Sequence, residues 1–415
     1  MSEIVTGLDI GTTKIGAIIA EVDESGVPAI IGVGTSPSDG LRRGVVVNLE
    51  KTIRSIEHAI EKAERVAGVS VNNVYAGIAG DHIRSINGRG VVAVAGPNNE
   101  ITQADIRRVI DNAKTVALPI DREILHVLPQ EFMVDEQHGI KDPVGMSGIR
   151  LEAEVHIVTG AVTSAKNICR SIERANMKVM DLVLEPLASS YAVLGEDEKE
   201  LGVIVMDLGG GTTDIAMFFE GCIRHTAVVG LGGKNITNDL ALGLRTPVEH
   251  AEAIKIANGC SIHRDTDREE TIEVPGVGGR APRRISKTYL VDIIQPRVEE
   301  ILSLAYREIK KSNFVHLMTA GVVITGGGSL LDGTAELAEE IFDMPVKLGV
   351  PNGFTGLTDL AKSPIHATGV GLVYYGIQQE YSDDPMIGPD ENGRFGWVME
   401  RMRGWFTNIH RYNQQ

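Results

Sequence analysis

The apolar positions of this chain fall into short runs, and one arrangement of them occurs twice. Ile4–Ile19 reads IVTGLDIGTTKIGAII, and Val203–Phe218 reads VIVMDLGGGTTDIAMF. In each, an apolar run ends at an aspartate, a glycine-containing turn carries Thr-Thr, and a second apolar run follows. Short apolar runs around a glycine turn predict a β-hairpin. Asp9 and Asp207 are 198 positions apart, and the pairs Thr12-Thr13 and Thr212-Thr213 are 200 apart. A pattern repeated at half-chain distance predicts duplicated halves of about 200 residues each.

Helical spacing lies between the hairpins. In Leu49–Val66 the positions Ile53, Ile56, Ile60 and Ala63 share one face, and Ser164–Ala175 and Asp292–Lys310 repeat the pattern. Strands mixed with such helices predict α/β layers. Two segments break the rhythm. Residues 84–160 run from a glycine-rich stretch through a helix near Gln103–Val116 to strands near Ile124–Val134 and Leu151–Val158, which predicts an inserted α+β subdomain. Residues 260–290 hold Arg264, Arg268, Arg280, Arg283, Arg284 and Lys287 among Pro and Gly, a basic, turn-rich patch beside the helix expected from about Asp292.

Composition narrows the class. With 415 residues, 43% hydrophobic and 23% charged, the chain reads as a globular protein of two or three domains. A formal charge of −16 argues against a dedicated nucleic-acid binder, which needs a basic footprint. Cys169, Cys222 and Cys260 form no CxxC pair, so neither a disulfide framework nor a zinc site is expected. Met1-Ser2-Glu3 leads into no signal-peptide pattern and no eighteen-residue apolar run occurs, so a cytosolic chain is expected.

A turn presenting several backbone N–H groups is an anion site, and glycine lets a phosphate approach closely. An aspartate just before it can hold Mg²⁺ through the ion's waters. Two such turns facing each other would clamp the phosphates of a nucleotide. A third candidate is Gly321–Gly333 (GVVITGGGSLLDG), in which a strand ends at Gly326-Gly327-Gly328 and a helix is expected from about Leu330. Taken singly, each turn is more often a tight hairpin than a ligand site; three turns, two of them duplicated with an aspartate at the strand end, favour the nucleotide. No GxxxxGK[ST] occurs and no GxGxxG follows the first strand. The histidines show no HExxH spacing, and His156 and His225 read as ordinary strand residues.

LDIGTTKIG, VMDLGGGTTDIA and GVVITGGGSLLDG resemble the phosphate-1, phosphate-2 and adenosine motifs of the actin/Hsp70/hexokinase superfamily, and LEPLASSYAVL and TGVGLVYYG resemble its two connecting helices. The insertion at 84–160, the phrases HVLPQEF and DPVGMSGIRLEAEVHIVT, and the C-terminal segment are similar to the FtsA family of bacterial cell-division proteins. The resemblance implies an α/β fold of actin-like, duplicated ribonuclease-H-like domains with an inserted α+β subdomain (IC) and a C-terminal amphipathic helix. The expected division is 1–83 with 161–195 (IA), 84–160 (IC), 196–232 with 305–379 (IIA), 233–304 (IIB), a linker at 380–393 and a membrane-targeting helix at 394–415.

The resemblance also implies roles. Asp9 and Asp207 would hold the waters of Mg²⁺. ATP would contact Gly11, Thr12, Thr13, Lys14, Gly209, Gly210, Gly211, Thr212, Thr213, Gly233, Gly326, Gly327 and Gly328. Glu252 and Lys255 would hold ribose and adenine; a surface ion pair at that spacing is the alternative. Glu185 stands where relatives orient the attacking water, although Glu-Pro is also ordinary start-of-helix chemistry. Hydrolysis is expected to be slow. Arg283, Arg297 and Glu300 match the region that docks the C-terminal peptide of FtsZ, with a solvated charge run as the alternative. Implied partners are FtsZ, further copies of the chain in filaments, later division proteins through subdomain IC, and the cytoplasmic face of the cell membrane at the septum.

The tail is read from its own residues. Only 18 residues are aromatic, yet five lie between Phe395 and Tyr412. On a helix, Phe395, Val398, Met399, Met402, Trp405, Phe406 and Ile409 share one arc, Arg401 and Arg403 flank it, and Trp397 alone falls outside. Residues 394–415 carry +3 against −19 for the rest, and 380–391 are acidic and turn-prone. A basic amphipathic helix on such a linker predicts a membrane-surface anchor, with a helix docked on its own domain as the alternative. Rival readings of the whole are a small-molecule kinase of this fold and a pilus-assembly relative. An Hsp70-like chaperone would need a peptide-binding domain that the roughly 35 residues after the core cannot form.

Overall fold

A computed structural model describes residues 3–380, apart from 24–25, 266–269, 277 and 279. The tail residues proposed for membrane contact, Phe395, Val398, Met402, Arg403, Trp405, Phe406 and Ile409, lie outside the described residues, as do Arg268 and the linker after Glu380.

Both predicted hairpins form. Glu3–Ile10 pairs antiparallel with Lys14–Val22, and Val203–Leu208 pairs with Thr213–Phe219. Each hairpin founds a mixed sheet. The first has six strands, in the order Lys178–Leu184, Asn73–Ile78, Glu3–Ile10, Lys14–Val22, Pro28–Pro37 and Thr355–Gly356. The second has five, in the order Cys222–Val229, Thr213–Phe219, Val203–Leu208, Val322–Thr325 and Val346–Leu348. Their central strands are mostly apolar and buried on both faces, as sheets covered by helices require.

The helix Leu49–Ala67 shows how the first sheet is covered. Asn48 caps it by accepting from the Lys51 N–H, and Gly68 ends it in the left-handed region at φ 71°. Its buried stripe of Ile53, Ile56, Ala59, Ile60 and Ala63 lies on the strand Pro28–Pro37, where a Cβ at Gly34 would stand 2.1 Å from the Ala59 carbonyl oxygen. The two halves meet where the helices Glu185–Val193 and Ala367–Glu380 cross. That crossing is closer than any side chain allows, since a Cβ on Gly371 would sit 1.8 Å from the Ala188 carbonyl oxygen.

Residues Arg84–Ala161 form a separate four-stranded sheet, in the order Arg84–Ala93, Arg150–Ala161, Arg122–Val134 and Gln137–Ile140. The helix Gln103–Ala113 covers one face, and the sheet has its own apolar cluster. It leans on the edge strand Cys222–Val229 of the second half. Gln130 donates to the carbonyls of Ile223 and Arg224, and Ser85 donates to that of Thr226. His156, expected as an ordinary strand residue, is fully buried here between Asn87 and Thr226, and burial pushes its pKa down to about 3.

Three local expectations change. The helix after the third glycine turn begins at Thr334 rather than near Leu330, because Gly327–Leu330 forms a 3₁₀ turn and Gly333 turns left-handed at φ 76°. The long helix begins at Lys287 rather than Asp292, capped by Ser286, which accepts from the Tyr289 N–H. Within the basic segment, Thr271–Val274 and Arg283–Ser286 pair as a short hairpin instead of remaining turns. Among the described residues, no helix is long and apolar enough to cross a membrane.

Candidate functional site

The glycine turns of both halves open into one cleft of about 760 Å³. Gly11, Thr12, Thr13 and Lys14 line it from the first half, and Gly209, Gly210, Gly211 and Thr212 from the second. The turns touch. A Cβ at Gly210 would meet the Thr13 side chain at 2.4 Å, and one at Gly211 would meet Thr12 Oγ1 at 2.4 Å. Gly210 and Gly211 are therefore the holes that Thr13 and Thr12 of the first turn fill.

That contact corrects the alignment of the repeat. In the first hairpin Ile10 pairs with Ile15 and Asp9 with Gly16; in the second Leu208 pairs with Thr213 and Asp207 with Asp214. The structural offset is 198 throughout, so Thr12-Thr13 corresponds to Gly210-Gly211 and not to Thr212-Thr213. Thr213 accordingly does not line the cleft: it is fully buried, and its hydroxyl donates to the Leu231 carbonyl at 2.9 Å.

At the floor stand four carboxyl groups. Asp9 lies 3.6 Å from the Lys14 ammonium, which also donates to the Ile365 carbonyl at 2.7 Å. Burial nevertheless raises the Asp9 pKa to about 6, against the pull of Lys14 and with a further push from Asp207. Asp207 accepts from the hydroxyls of Ser189 at 2.9 Å and Thr368 at 3.1 Å, which hold its orientation; burial raises its pKa too. Glu185 opens the first connecting helix, partly exposed to the cleft yet deep in the molecule. Gly77 makes room for it, since a Cβ there would stand 3.0 Å from Glu185 Cγ. Burial and then the charges of Asp9, Asp214 and Asp207 push the Glu185 carboxyl well above the usual range. Asp214, on the second hairpin, is the fourth. It accepts from the Thr212 hydroxyl at 2.7 Å, and burial raises its pKa to about 7.

The third turn closes one side. Gly326, Gly327 and Gly328 line the cleft, and Gly326 is a glycine by necessity: φ is +82° and a Cβ would fall 2.2 Å from Asp207 Oδ1. Across from it stands the helix Val248–Asn258. Its Glu252 and Lys255 form the i,i+3 ion pair foreseen as the alternative, at 2.8 Å, and the same two residues line the cleft. Lys255 Nζ also donates to the Gly233 carbonyl at 3.2 Å and to Thr237 Oγ1 at 2.9 Å, so ion pair and cleft wall are one arrangement. Among the described residues no three His, Cys, Asp or Glu side chains form a ready metal cluster.

Arg283, Arg297 and Glu300 sit elsewhere, gathered on the far end of the helix Gly233–Gly243. Arg283 donates to the Leu244 carbonyl, and Arg297 donates to Asp239 Oδ2 at 2.5 Å and to Glu300. All three are engaged within the fold. Reading the sequence missed Asp214, Ser189 and Thr368, although all three stand inside the motifs that point to this cleft: the first in GGGTTD, the others in the two connecting helices.

Comparison with known proteins agrees with this architecture. A family model for cell division protein FtsA matches residues 204–371, and one for the SHS2 domain inserted in FtsA matches residues 80–159. The FtsA of Pseudomonas aeruginosa is 47% identical over 97% of each chain. The chain belongs to the FtsA family. FtsA of Escherichia coli is 40% identical over 97% of each chain, and FtsA of Bacillus subtilis is 37% identical over 93% of this chain and 86% of that one. Among solved structures, a PilM–PilN type IV pilus biogenesis complex superposes with a TM-score of 0.65 at 16% identity, covering 90% of this chain and 98% of that one. MreB5 of Spiroplasma citri bound to ADP gives 0.56 at 13% identity, over 92% and 99%. The protein is thus a cell-division protein of actin-like α/β fold with the FtsA-type insertion. The kinase and pilus readings give way to the full-length FtsA relatives.

Proposed function

We propose that this FtsA family member binds ATP with Mg²⁺ in the cleft, assembles into actin-like filaments on the cytoplasmic face of the cell membrane at the septum, and tethers FtsZ there. The observation that carries the reading is the meeting of two glycine turns, one from each half, above Asp9 and Asp207. Backbone N–H groups of both turns would bind phosphate oxygens, Lys14 would offset one charge, and Glu252 with Lys255 would hold the ribose and base. A nucleotide gripped from both halves ties them together, and that favours a shape able to assemble.

The residues present fit a divalent ion. Burial outweighs the pull of the nearby Lys14 and raises the carboxyls at the cleft floor, so a further cation there would favour their ionised forms. Asp9 and Asp207 would hold such an ion through its waters, and the ion would neutralise phosphate oxygens. Burial and the charges of Asp9, Asp214 and Asp207 push the Glu185 carboxyl well above the usual range, which favours its protonated form; a protonated carboxyl cannot take a proton from water, in keeping with slow hydrolysis.

Beyond the cleft, the tail 394–415 would lie on anionic lipid through its apolar arc, with about 1 kcal/mol from each arginine near the surface. One such helix binds weakly, and a filament multiplies it. Arg283, Arg297 and Glu300 would receive the acidic C-terminal peptide of FtsZ, which must first compete with Asp239 for Arg297. The inserted subdomain would recruit later division proteins.

Electron microscopy on anionic lipid monolayers tests the whole, with and without ATP, beside a chain ending at Gly393. Filaments that need both ATP and the tail are expected. Lipid binding unchanged by the truncation would remove the anchor, and filaments indifferent to ATP would remove the role given to the cleft.

A further inference from the structure

We propose that Lys234 is a phosphate-binding residue of the cleft, and the cation through which the cleft prefers a nucleoside triphosphate to the bare nucleoside. The inference rests on the nucleotide reading above, and the charges of the cleft carry it. A triphosphate is strongly negative, and the floor it approaches already holds Asp9, Asp207, Asp214 and Glu185. Among the described residues the cationic side chains lining the cleft are Lys14, Lys234, Lys255 and Lys287. Three of these are engaged. Lys14 stands 3.6 Å from Asp9 and donates to the Ile365 carbonyl, Lys255 pairs with Glu252 at 2.8 Å, and Lys287 pairs with Glu270 at 3.0 Å. Lys234 is exposed, and among the described residues its ammonium makes no ion pair or hydrogen bond.

Its place in the fold points the same way. Lys234 opens the helix Gly233–Gly243, and its backbone N–H donates to the Gly210 carbonyl at 2.8 Å, while that of Gly233 donates to the Gly209 carbonyl at 3.0 Å. These bonds fix the helix start against the second glycine turn. They also use up N–H groups that a helix N-terminus otherwise offers to an anion, so the positive charge available here is the lysine's. Without a ligand it is badly placed, because a cation opposes the positive end of the helix dipole. The helix Leu49–Ala67 of the first half carries Glu50 in its first turn, whereas Gly233–Gly243 has no acid in its own. A phosphate held by the second turn removes that repulsion, and it meets an ammonium that gives up no partner to bind it.

The test compares full-length wild type, Lys234→Met and Lys234→Arg by calorimetry, against ATP with magnesium and against adenosine, which keeps the base and ribose but has no phosphate. Lys234→Met is expected to bind ATP about tenfold more weakly, and Lys234→Arg to stay within about threefold of wild type. Adenosine should bind all three alike. Without nucleotide, Lys234→Met is expected to melt no lower than wild type. An unchanged affinity of Lys234→Met for ATP would overturn the inference. An equal loss for ATP and adenosine, or a midpoint several degrees lower without nucleotide, would make Lys234 a structural residue and overturn it too. A wild type that takes up no ATP defeats the nucleotide reading itself, and the inference with it, before any variant is compared.

Discussion

The two turns at the cleft floor began as the same device and now differ in charge. The first keeps bulk and a cation: Thr12, Thr13 and Lys14 fill its tip, with Gly16 opposite Asp9. The second keeps space and an acid: three glycines precede Thr212, with Asp214 opposite Asp207. The difference is what lets them face each other. Two threonine-filled tips would collide, whereas threonines against glycines close to contact. Duplication supplied the frame, and divergence at four positions made one turn the complement of the other.

The most severe way to break this complementarity is to give the second turn bulk. Gly210→Val, pressed against Thr13, is expected to cost about 3 kcal/mol by overpacking, and Thr13→Gly in the same chain should recover part of it. Urea unfolding of the single and double variants measures both; equal stability of the two would mean that the turns do not press on each other. Removing the built-in cation comes next. Lys14→Met takes away the partner of Asp9 and the bond to the Ile365 carbonyl, for an expected loss of about 2 kcal/mol by the same assay.

Neutralising the acid of the second turn should act in the opposite direction. Asp214 has a folded pKa of about 7 against 3.8 in model peptides, so the folded chain holds the proton more tightly. Its contribution is fully present below about pH 4 and is lost as pH rises through 7. In buffer without magnesium, Asp214→Asn should therefore melt higher than wild type, by a margin that grows from pH 4 to 7 and then levels. A flat margin across that range would contradict the assignment. Asp9→Asn sharpens the comparison: with Lys14 beside it the Asp9 pKa reaches only about 6, so the gain should be smaller and complete one pH unit earlier. The smallest effect belongs to Thr213→Val. Losing its bond to the Leu231 carbonyl should cost about 1 kcal/mol and leave nucleotide affinity, read by calorimetry, unchanged. A tenfold loss of affinity would return Thr213 to the cleft.

Much of the architecture was legible because it is local. The hairpins, the amphipathic helix Leu49–Ala67 and the inserted subdomain follow from periodicity and punctuation. Helix starts were less so. Capped by Ser286, the long helix begins at Lys287, five residues before the expected start, within a segment whose charge and glycines read as turns. Leu330 looked helical, but the left-handed Gly333 postponed the helix to Thr334. Of the residues expected to hold ATP, every one but Thr213 lines the cleft, because the motifs mark strand ends and strand ends meet there.

By itself the sequence determined that the chain has two related halves, where glycines free the backbone, and which acids and bases stand at the turns, since these depend on neighbours in the chain. Only the tertiary structure decided how the halves correspond. Counting from the threonines gives an offset of 200 and counting hydrogen-bonded partners gives 198, and sheet register, a property of two strands at once, settles it. The same step turned Thr213 inward to Leu231, placed Asp214 opposite Asp207, and left an oxygen without a partner. Burial and pairing are properties of the assembled fold, and a carboxylate in a string of letters carries neither.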